Sequence, residues 1–251
     1  MRWLLAAALL VAWPARADSA GDLYVQGKYE AAIAAELAKN SAMGFANAAR
    51  AALAEEASRD EPCLACIERA EDYARKAIAA DPKLPDGQIY LAVSLGLKEH
   101  IEGPIVARLH HYPDQAKRAI DAALACDPDN VWALAALGGW NIEIVDHAGS
   151  TLADWLYGAS LDKGEAAFAA AFKAAPQNFV VRYQYALTLS DYDTARFRGE
   201  IESALAFAAD GVPSTVYNAL VKKRAGELLA LLKAGKDADY AVLVRKYEGY
   251  P

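Results

Sequence analysis

Residues 70–82 have the sequence Ala-Glu-Asp-Tyr-Ala-Arg-Lys-Ala-Ile-Ala-Ala-Asp-Pro, and the same pattern returns at 116–128 and 164–176. In each segment, small or apolar residues stand at three matching distances before the final proline: Ala70, Ala74 and Ala77; Ala116, Ile120 and Ala123; Gly164, Phe168 and Ala171. Steps of three and four residues place such side chains on one face of a helix. The three segments therefore predict helices that each end at a proline turn.

The remainder of the chain continues this helical character. Alanine-rich stretches with apolar residues at helical spacing also occupy 30–40 and 200–209. Alanine loses little entropy in a helix and lets two helices approach closely. Because no stretch alternates β-branched and polar residues, the sequence predicts an all-α fold.

A second set of small residues follows each proline, at Leu91-Ala92, Leu137-Gly138 and Tyr185-Ala186. Together the two sets resemble the tetratricopeptide repeat, in which two antiparallel helices form one unit. The resemblance implies a solenoid of helix hairpins. We expect each proline to begin the next helix, because a proline in the first turn forfeits no backbone hydrogen bond.

The spacing of the prolines predicts lengthened central units. Pro82, Pro128 and Pro176 are farther apart than the usual period of about 34 residues. The surplus falls at 99–112 and 146–163, where we expect extra helical turns. The predicted units are 18–40, 41–82, 83–128, 129–176 and 177–210, followed by terminal helices at 211–251.

Two short motifs point to a narrower group. Residues 137–143, Leu-Gly-Gly-Trp-Asn-Ile-Glu, and 156–160, Leu-Tyr-Gly-Ala-Ser, are similar to segments of an exported bacterial tetratricopeptide group. That group is akin to the regulator-of-microtubule-dynamics-like proteins and to the T component of TRAP transporters. The motif residues here are Trp140, Glu143, His147, Tyr157 and Gly158. The resemblance implies a noncatalytic scaffold or ligand binder; a periplasmic component associated with a transporter is the alternative.

The first 17 residues are predicted to be a secretory leader. Arg2 precedes an apolar run from Trp3 to Trp13, and Ala15-Arg16-Ala17 is a small-x-small cleavage site. Cleavage after Ala17 leaves 18–251 as a single domain, periplasmic or secreted. Loss of Arg2 and Arg16 changes the formal net charge from −7 to −9. This acidity disfavours nucleic acid as a partner, and no later segment predicts a membrane span.

Three cysteines follow the leader. Cys63 and Cys66 stand at a predicted helix start, and outside the cytoplasm such a pair predicts a structural disulfide. A redox-active pair, free thiols and metal binding are the alternatives. Cys126 is left over, and its pairing with either of the others stays open.

Glu143 and His147 are the strongest candidates for chemistry, because residues four apart share a helix face. The favoured interpretation is a hydrogen-bonded pair near a helix end. A metal site or acid–base catalysis would need further donors that no motif supplies. We therefore expect no catalytic residue, metal or cofactor, with a thiol redox or metal-dependent enzyme as the less favoured interpretation.

In tetratricopeptide units, the second, fifth, ninth and thirteenth residues of the first helix face the concave groove. Here those positions are Asp86, Ile89, Val93 and Leu97; Trp132, Ala135, Gly139 and Glu143; Val180, Tyr183, Leu187 and Asp191. The proposed ligand-binding residues among them are Ile89, Val93, Trp132, Gly139, Glu143, Tyr183, Leu187 and Asp191. This apolar and acidic set predicts binding of a protein segment or a small apolar ligand with a cationic end. A role for the aromatic residues of 132–185 as core is the alternative.

Overall fold

A computed structural model describes residues 18–251, so the predicted leader lies outside the described residues. Fourteen helices are present in this part of the chain: α1 Ala20–Val25, α2 Tyr29–Leu37, α3 Ala42–Ala57, α4 Leu64–Ala80, α5 Pro85–Glu102, α6 Pro104–Leu109, α7 Tyr112–Cys126, α8 Val131–Ala148, α9 Ser150–Leu152, α10 Leu161–Ala174, α11 Phe179–Asp193, α12 Arg198–Asp210, α13 Val216–Lys233 and α14 Asp237–Glu248. A π-helical turn, Ala153–Tyr157, follows α9. Residues 18–251 contain no strand, which confirms the all-α prediction.

Each long helix packs mainly on the long helices before and after it along the chain. Successive pairs are α3 with α4, α5 with α7, α8 with α10, α11 with α12, and α13 with α14, and α2 with α3, α4 with α5, and α12 with α13 are also in extensive contact. The first helix of each pair also contacts the first helix of the next, from α3 through α5, α8 and α11 to α13. The short helices α6 and α9 therefore lie within pairs rather than between them.

The small residues of the sequence pattern allow these close contacts. Gly138 of α8 lies against the ring of Phe168 of α10, and an added Cβ would meet that ring at 2.5 Å. Gly164 lies equally close to Ile142, since an added Cβ there would be 2.6 Å from the isoleucine side chain. Because a real Cβ does not approach so closely, only glycine permits this separation of α8 and α10.

The prolines lie in turns, so the prediction that they begin the next helices is wrong. Pro82, Pro128 and Pro176 each precede a helix by three residues. The residue before each proline is driven away from helical geometry, as at Asp81 with φ −151° and ψ 100°. Two of the following helices then begin at asparagine caps, Asn130 and Asn178.

Both predicted insertions contain extra helical turns. Gly103, with φ 84°, ends α5 and leads into α6, and Gly149, with φ 73°, ends α8 and leads into α9. A left-handed or otherwise positive φ suits glycine, since it has no Cβ. These two turns reverse the chain at one end of neighbouring helices.

The two ends of the described chain meet. Arg224 of α13 donates from Nη2 to the carbonyl oxygen of Ala57 at 2.7 Å. Lys246 of α14 lies 3.3 Å from the Asp60 carboxylate. The helix series therefore curves until its last pair contacts the turn after α3.

Two further predictions concern the cysteines and membrane-spanning segments. The Sγ atoms of Cys63 and Cys66 are 2.04 Å apart, a bonding distance, and Cys126 is exposed and unpaired. Among residues 18–251, no helix has the length and apolar character that crossing a bilayer requires.

Candidate functional site: an acidic cleft beside the C-terminal tail

The predicted groove residues fall into two groups in the structure. Ile89, Tyr183 and Leu187 are buried, and Tyr183 is only 2% exposed. Val93 and Trp132 are exposed. Gly139, Glu143 and Asp191 are partly exposed. Glu143 and Asp191 belong to one acidic region, since each raises the pKa of Glu248.

The chain itself covers part of the inner face. Tyr183 and Leu187 of α11 share a core with Val221 and Leu228 of α13 and with Tyr240 of α14. In this conformation these side chains are core residues, and contact with a ligand would require α13 and α14 to move.

Residues 248–251, which we call the C-terminal tail, continue from α14 across the same face. The Nδ1 atom of His100 is 2.7 Å from the carbonyl oxygen of Glu248. The Tyr250 hydroxyl donates to Oδ2 of Asp191 at 2.9 Å. Gly249, with φ 86°, lies beside Leu97, since an added Cβ would be 3.6 Å from its Cδ2. The tail thereby contacts α5 and α11 at predicted groove positions.

An open cleft of about 540 Å³ lies next to the tail. Its lining comes from α5 and α6, from the end of α8, from α11, and from α14 with the tail. The residues are Glu99, His100, Ile101, Glu102, Gly103, Pro104, Asp146, His147, Asp191, Arg245, Tyr250 and Pro251. Four carboxylates and one arginine line it, so the cleft carries net negative charge near neutral pH.

Burial and mutual repulsion make the acids near this cleft hard to ionise. Desolvation is the largest cause that raises the pKa of Glu248, with further increases from Asp191 and Glu143. Desolvation also raises the pKa of Glu143 and of Asp146, although nearby histidines oppose it. Glu248 has one buried carboxylate oxygen without a hydrogen-bond partner in the described part of the chain. The region therefore favours protons or cations near these carboxylates.

Glu143 and His147 were predicted to form a hydrogen-bonded pair. Each instead faces a residue of the other helix, in two histidine–glutamate contacts between α5 and α8. His147 Nδ1 lies 3.2 Å from Oε1 of Glu99, and the hydrogen bond to Glu99 is the largest cause that raises the His147 pKa. Glu143 Oε1 lies 3.9 Å from Nε2 of His100. Helix packing thus brings each histidine to a carboxylate on the neighbouring helix.

The other motif residues hold the second insertion in place. Trp140 is buried, and its Nε1 donates to the carbonyl oxygen of Pro113 at 3.0 Å. Its indole meets the Tyr157 ring edge to face, with centroids 6.3 Å apart. Gly158 ends the π-helical turn with φ 64°. These contacts join α8 to α7 and to the insertion, which is a packing role.

Trp132 lies elsewhere, in a second open groove of about 760 Å³. Phe179, Phe207 and Val212 line this groove with several amide and hydroxyl side chains. Its only acid is Asp210. Of the eight predicted ligand-binding residues, only Asp191 lines the acidic cleft and only Trp132 lines this mostly neutral groove.

Within residues 18–251, no three His, Cys, Asp or Glu side chains are arranged to hold a metal ion. The acids and histidines of the cleft are instead engaged pairwise or with the tail.

Ten of the twelve residues that line the cleft lay outside the predicted set, the exceptions being His147 and Asp191. Glu248, next to the cleft, was not predicted either. These residues come from distant parts of the chain, as the 148 residues between His100 and Glu248 illustrate. No local motif or periodicity encodes such a contact. The acidic character of the inner helix positions was the only sequence signal for this region.

No protein-family model matches the chain, and no curated protein matches it either.

Proposed function

We propose that the protein is an exported, noncatalytic scaffold of the tetratricopeptide type, which binds a ligand with a cationic group in the acidic cleft. The ligand is the basic end of a protein segment or a small amine with an apolar part. The scaffold class is supported by the order of contacts, in which each helix pair stacks on the next through its first helix.

The composition of the cleft carries the proposal. Glu99, Asp146 and Asp191 come from three different helices, and Arg245 is the one lysine or arginine in the lining. An amine or guanidinium entering the cleft would gain from carboxylates on more than one side. A carboxylate ligand would be repelled.

The aromatic wall of the cleft already holds a cation. Tyr250 is stacked on His100 with centroids 4.4 Å apart, and the Arg245 guanidinium lies over the Tyr250 ring, 4.1 Å from its centroid. A π-face attracts organic cations, so a ligand that reached this ring would compete with Arg245.

The test uses isothermal titration calorimetry on residues 18–251 with spermidine and with a lysine-containing leucine-rich decapeptide. The same decapeptide with acetylated lysines is the neutral probe. We expect the amines to bind and the acetylated peptide to bind at least fivefold more weakly. Asp146→Asn should weaken amine binding about two- to fivefold, the range for one partly exposed charge pair.

Asp162→Asn is the matched control, because Asp162 is an exposed acid of α10 outside the cleft lining. It should leave amine affinity within twofold of the parent. Equal losses in the two aspartate variants would show that binding follows overall charge. Absence of amine binding, or equal affinity for the acetylated peptide, would overturn the proposal.

A further inference from the structure

The C-terminal tail is held by few contacts, and most of them involve ionisable groups. His100 stacks on Tyr250 and faces the Glu248 carbonyl oxygen, and the Tyr250 hydroxyl donates to Asp191. Arg245 lies over the Tyr250 ring, 4.1 Å from its centroid. Leu97 lies next to Gly249. The strength of the attachment therefore depends on local charge.

Docking also places the Glu248 carboxyl among other acids. The titratable and charged groups that interact with it are Glu143 and Asp146 of α8, Tyr183 and Asp191 of α11, Tyr240 and Arg245 of α14, and Tyr250. Glu99, His100 and His147 act in turn on Glu143, and Arg224 and Glu227 of α13 act on the neighbouring Tyr247. Of the two arginines, Arg224 is stacked on Tyr247 and Arg245 on Tyr250. Within residues 18–251, neither arginine lies within salt-bridge distance of a carboxylate.

We infer that residues 248–251 form a pH-operated latch, which stays docked across α5 and α11 in acid and detaches as the Glu248 carboxyl ionises beside Glu143, Asp146 and Asp191. Detachment breaks the Tyr250 contacts to His100 and Asp191 and carries the Glu248 carboxylate into water. It requires only the last turn of α14 to fray, because Tyr240 and Val244 lie farther back in the core.

The direction of the pH effect follows from proton binding. Desolvation raises the pKa of Glu248 well above the ordinary glutamate value of 4.5, with further increases from Asp191 and Glu143. Because release carries this carboxyl into water, the docked state holds its proton more tightly than the released state. The contribution to docking is complete below 4.5 and is lost as pH rises through the raised value.

The latch would also control access to the acids on the inner face. In the docked state the tail occupies the hydrogen-bonding position at Asp191 and lies beside Leu97. Release at higher pH would open Glu143 and Asp191 to a cation. This consequence rests on the proposed function, whereas the latch itself is tested without any ligand.

Hydrogen exchange of residues 245–251, followed by mass spectrometry on the ligand-free protein, reports docking directly. The amides of Gly249 and Tyr250 are hydrogen-bonded to Lys246 and Arg245 when the tail is docked. After correction for intrinsic exchange, we expect protection to fall about tenfold or more between pH 5 and pH 8. Glu248→Gln removes the ionisation while keeping the size, so its protection should change less than threefold.

Glu68→Gln is the control, because Glu68 is exposed on α4; its tail should behave like that of the parent. Far-UV circular dichroism shows whether Glu248→Gln folds. Asp191→Asn is a second variant, which keeps an acceptor for the Tyr250 hydroxyl and should reduce the pH dependence of protection. Two results would overturn the latch. One is a parent protein whose tail is as protected at pH 8 as at pH 5. The other is a loss of protection in Glu248→Gln and Asp191→Asn that equals the loss in the parent. A pH-dependent tail without amine binding would overturn only the proposed function.

Discussion

The imidazole of His100 stacks on the phenol ring of Tyr250, with ring centroids 4.4 Å apart and planes 14° from parallel. Its Nδ1 faces the Glu248 carbonyl oxygen, which can only accept, so Nδ1 carries a hydrogen. Its Nε2 faces Glu143. One side chain of α5 thus joins the C-terminal tail to α8.

Removal of this stack should loosen the tail without unfolding the helix pairs. We expect Tyr250→Ala to lower the free energy of unfolding by about 1–2 kcal/mol at pH 5, from the lost aromatic pair and hydrogen bond. Tyr250→Phe keeps the ring and loses only the bond to Asp191, so its loss should be smaller. Urea denaturation measures both. A Tyr250→Ala variant as stable as the parent would show that the stack contributes nothing in solution.

Two adjacent glycines of α8 give a matched test of the helix contact with α10. Gly138→Ala places a methyl group 2.5 Å from the Phe168 ring and should cost about 1–3 kcal/mol through overpacking. In Gly139→Ala the nearest atom is 3.9 Å away, so the variant should be neutral or gain up to about 1 kcal/mol of helix propensity. Thermal or urea unfolding distinguishes them. Equal effects at the two positions would contradict the close approach of α8 to α10.

The repeated sequence pattern predicted the helices and their turns because it is a local property. Ala74, Ile120 and Phe168 stand at the same distance before their prolines, and the structure buries all three on helix faces. Two of the helix starts lie at the asparagine caps Asn130 and Asn178, and the third helix begins at Pro85.

Which helices pack against the inner face could not be predicted in the same way. Helical spacing in α14 shows that Tyr240 and Val244 face a core, but it does not say which helix forms that core. In the structure they join Tyr183 and Leu187 of α11. The same residue types would serve a ligand groove or an internal contact, so the choice depends on tertiary structure and not on local pattern.

Trp140 should contribute to stability through its indole hydrogen bond. Trp140→Phe leaves the Pro113 carbonyl without its buried donor and should cost about 1–3 kcal/mol. Trp155→Phe is the control, since Trp155 is 78% exposed and its replacement should change stability by less than about 0.5 kcal/mol. Both are measured by urea denaturation. If the two variants lose equal stability, the indole of Trp140 does not make this bond in solution.

The Glu99–His147 contact predicts a pH dependence of its own. Glu99 raises the pKa of His147 above its ordinary value of 6.5, so the pair stabilises the fold fully below 6.5 and loses this effect as pH rises through the raised native pKa. Glu99→Gln should return the His147 pKa toward 6.5, as followed by NMR titration of the four histidines. Its cost in unfolding free energy should be about 1 kcal/mol at pH 5 and smaller at pH 8. Asp114→Asn breaks the exposed pair with His111 and should leave the His147 titration unchanged. If His147 titrates identically with and without the Glu99 carboxylate, then the contact between α5 and α8 is not electrostatic.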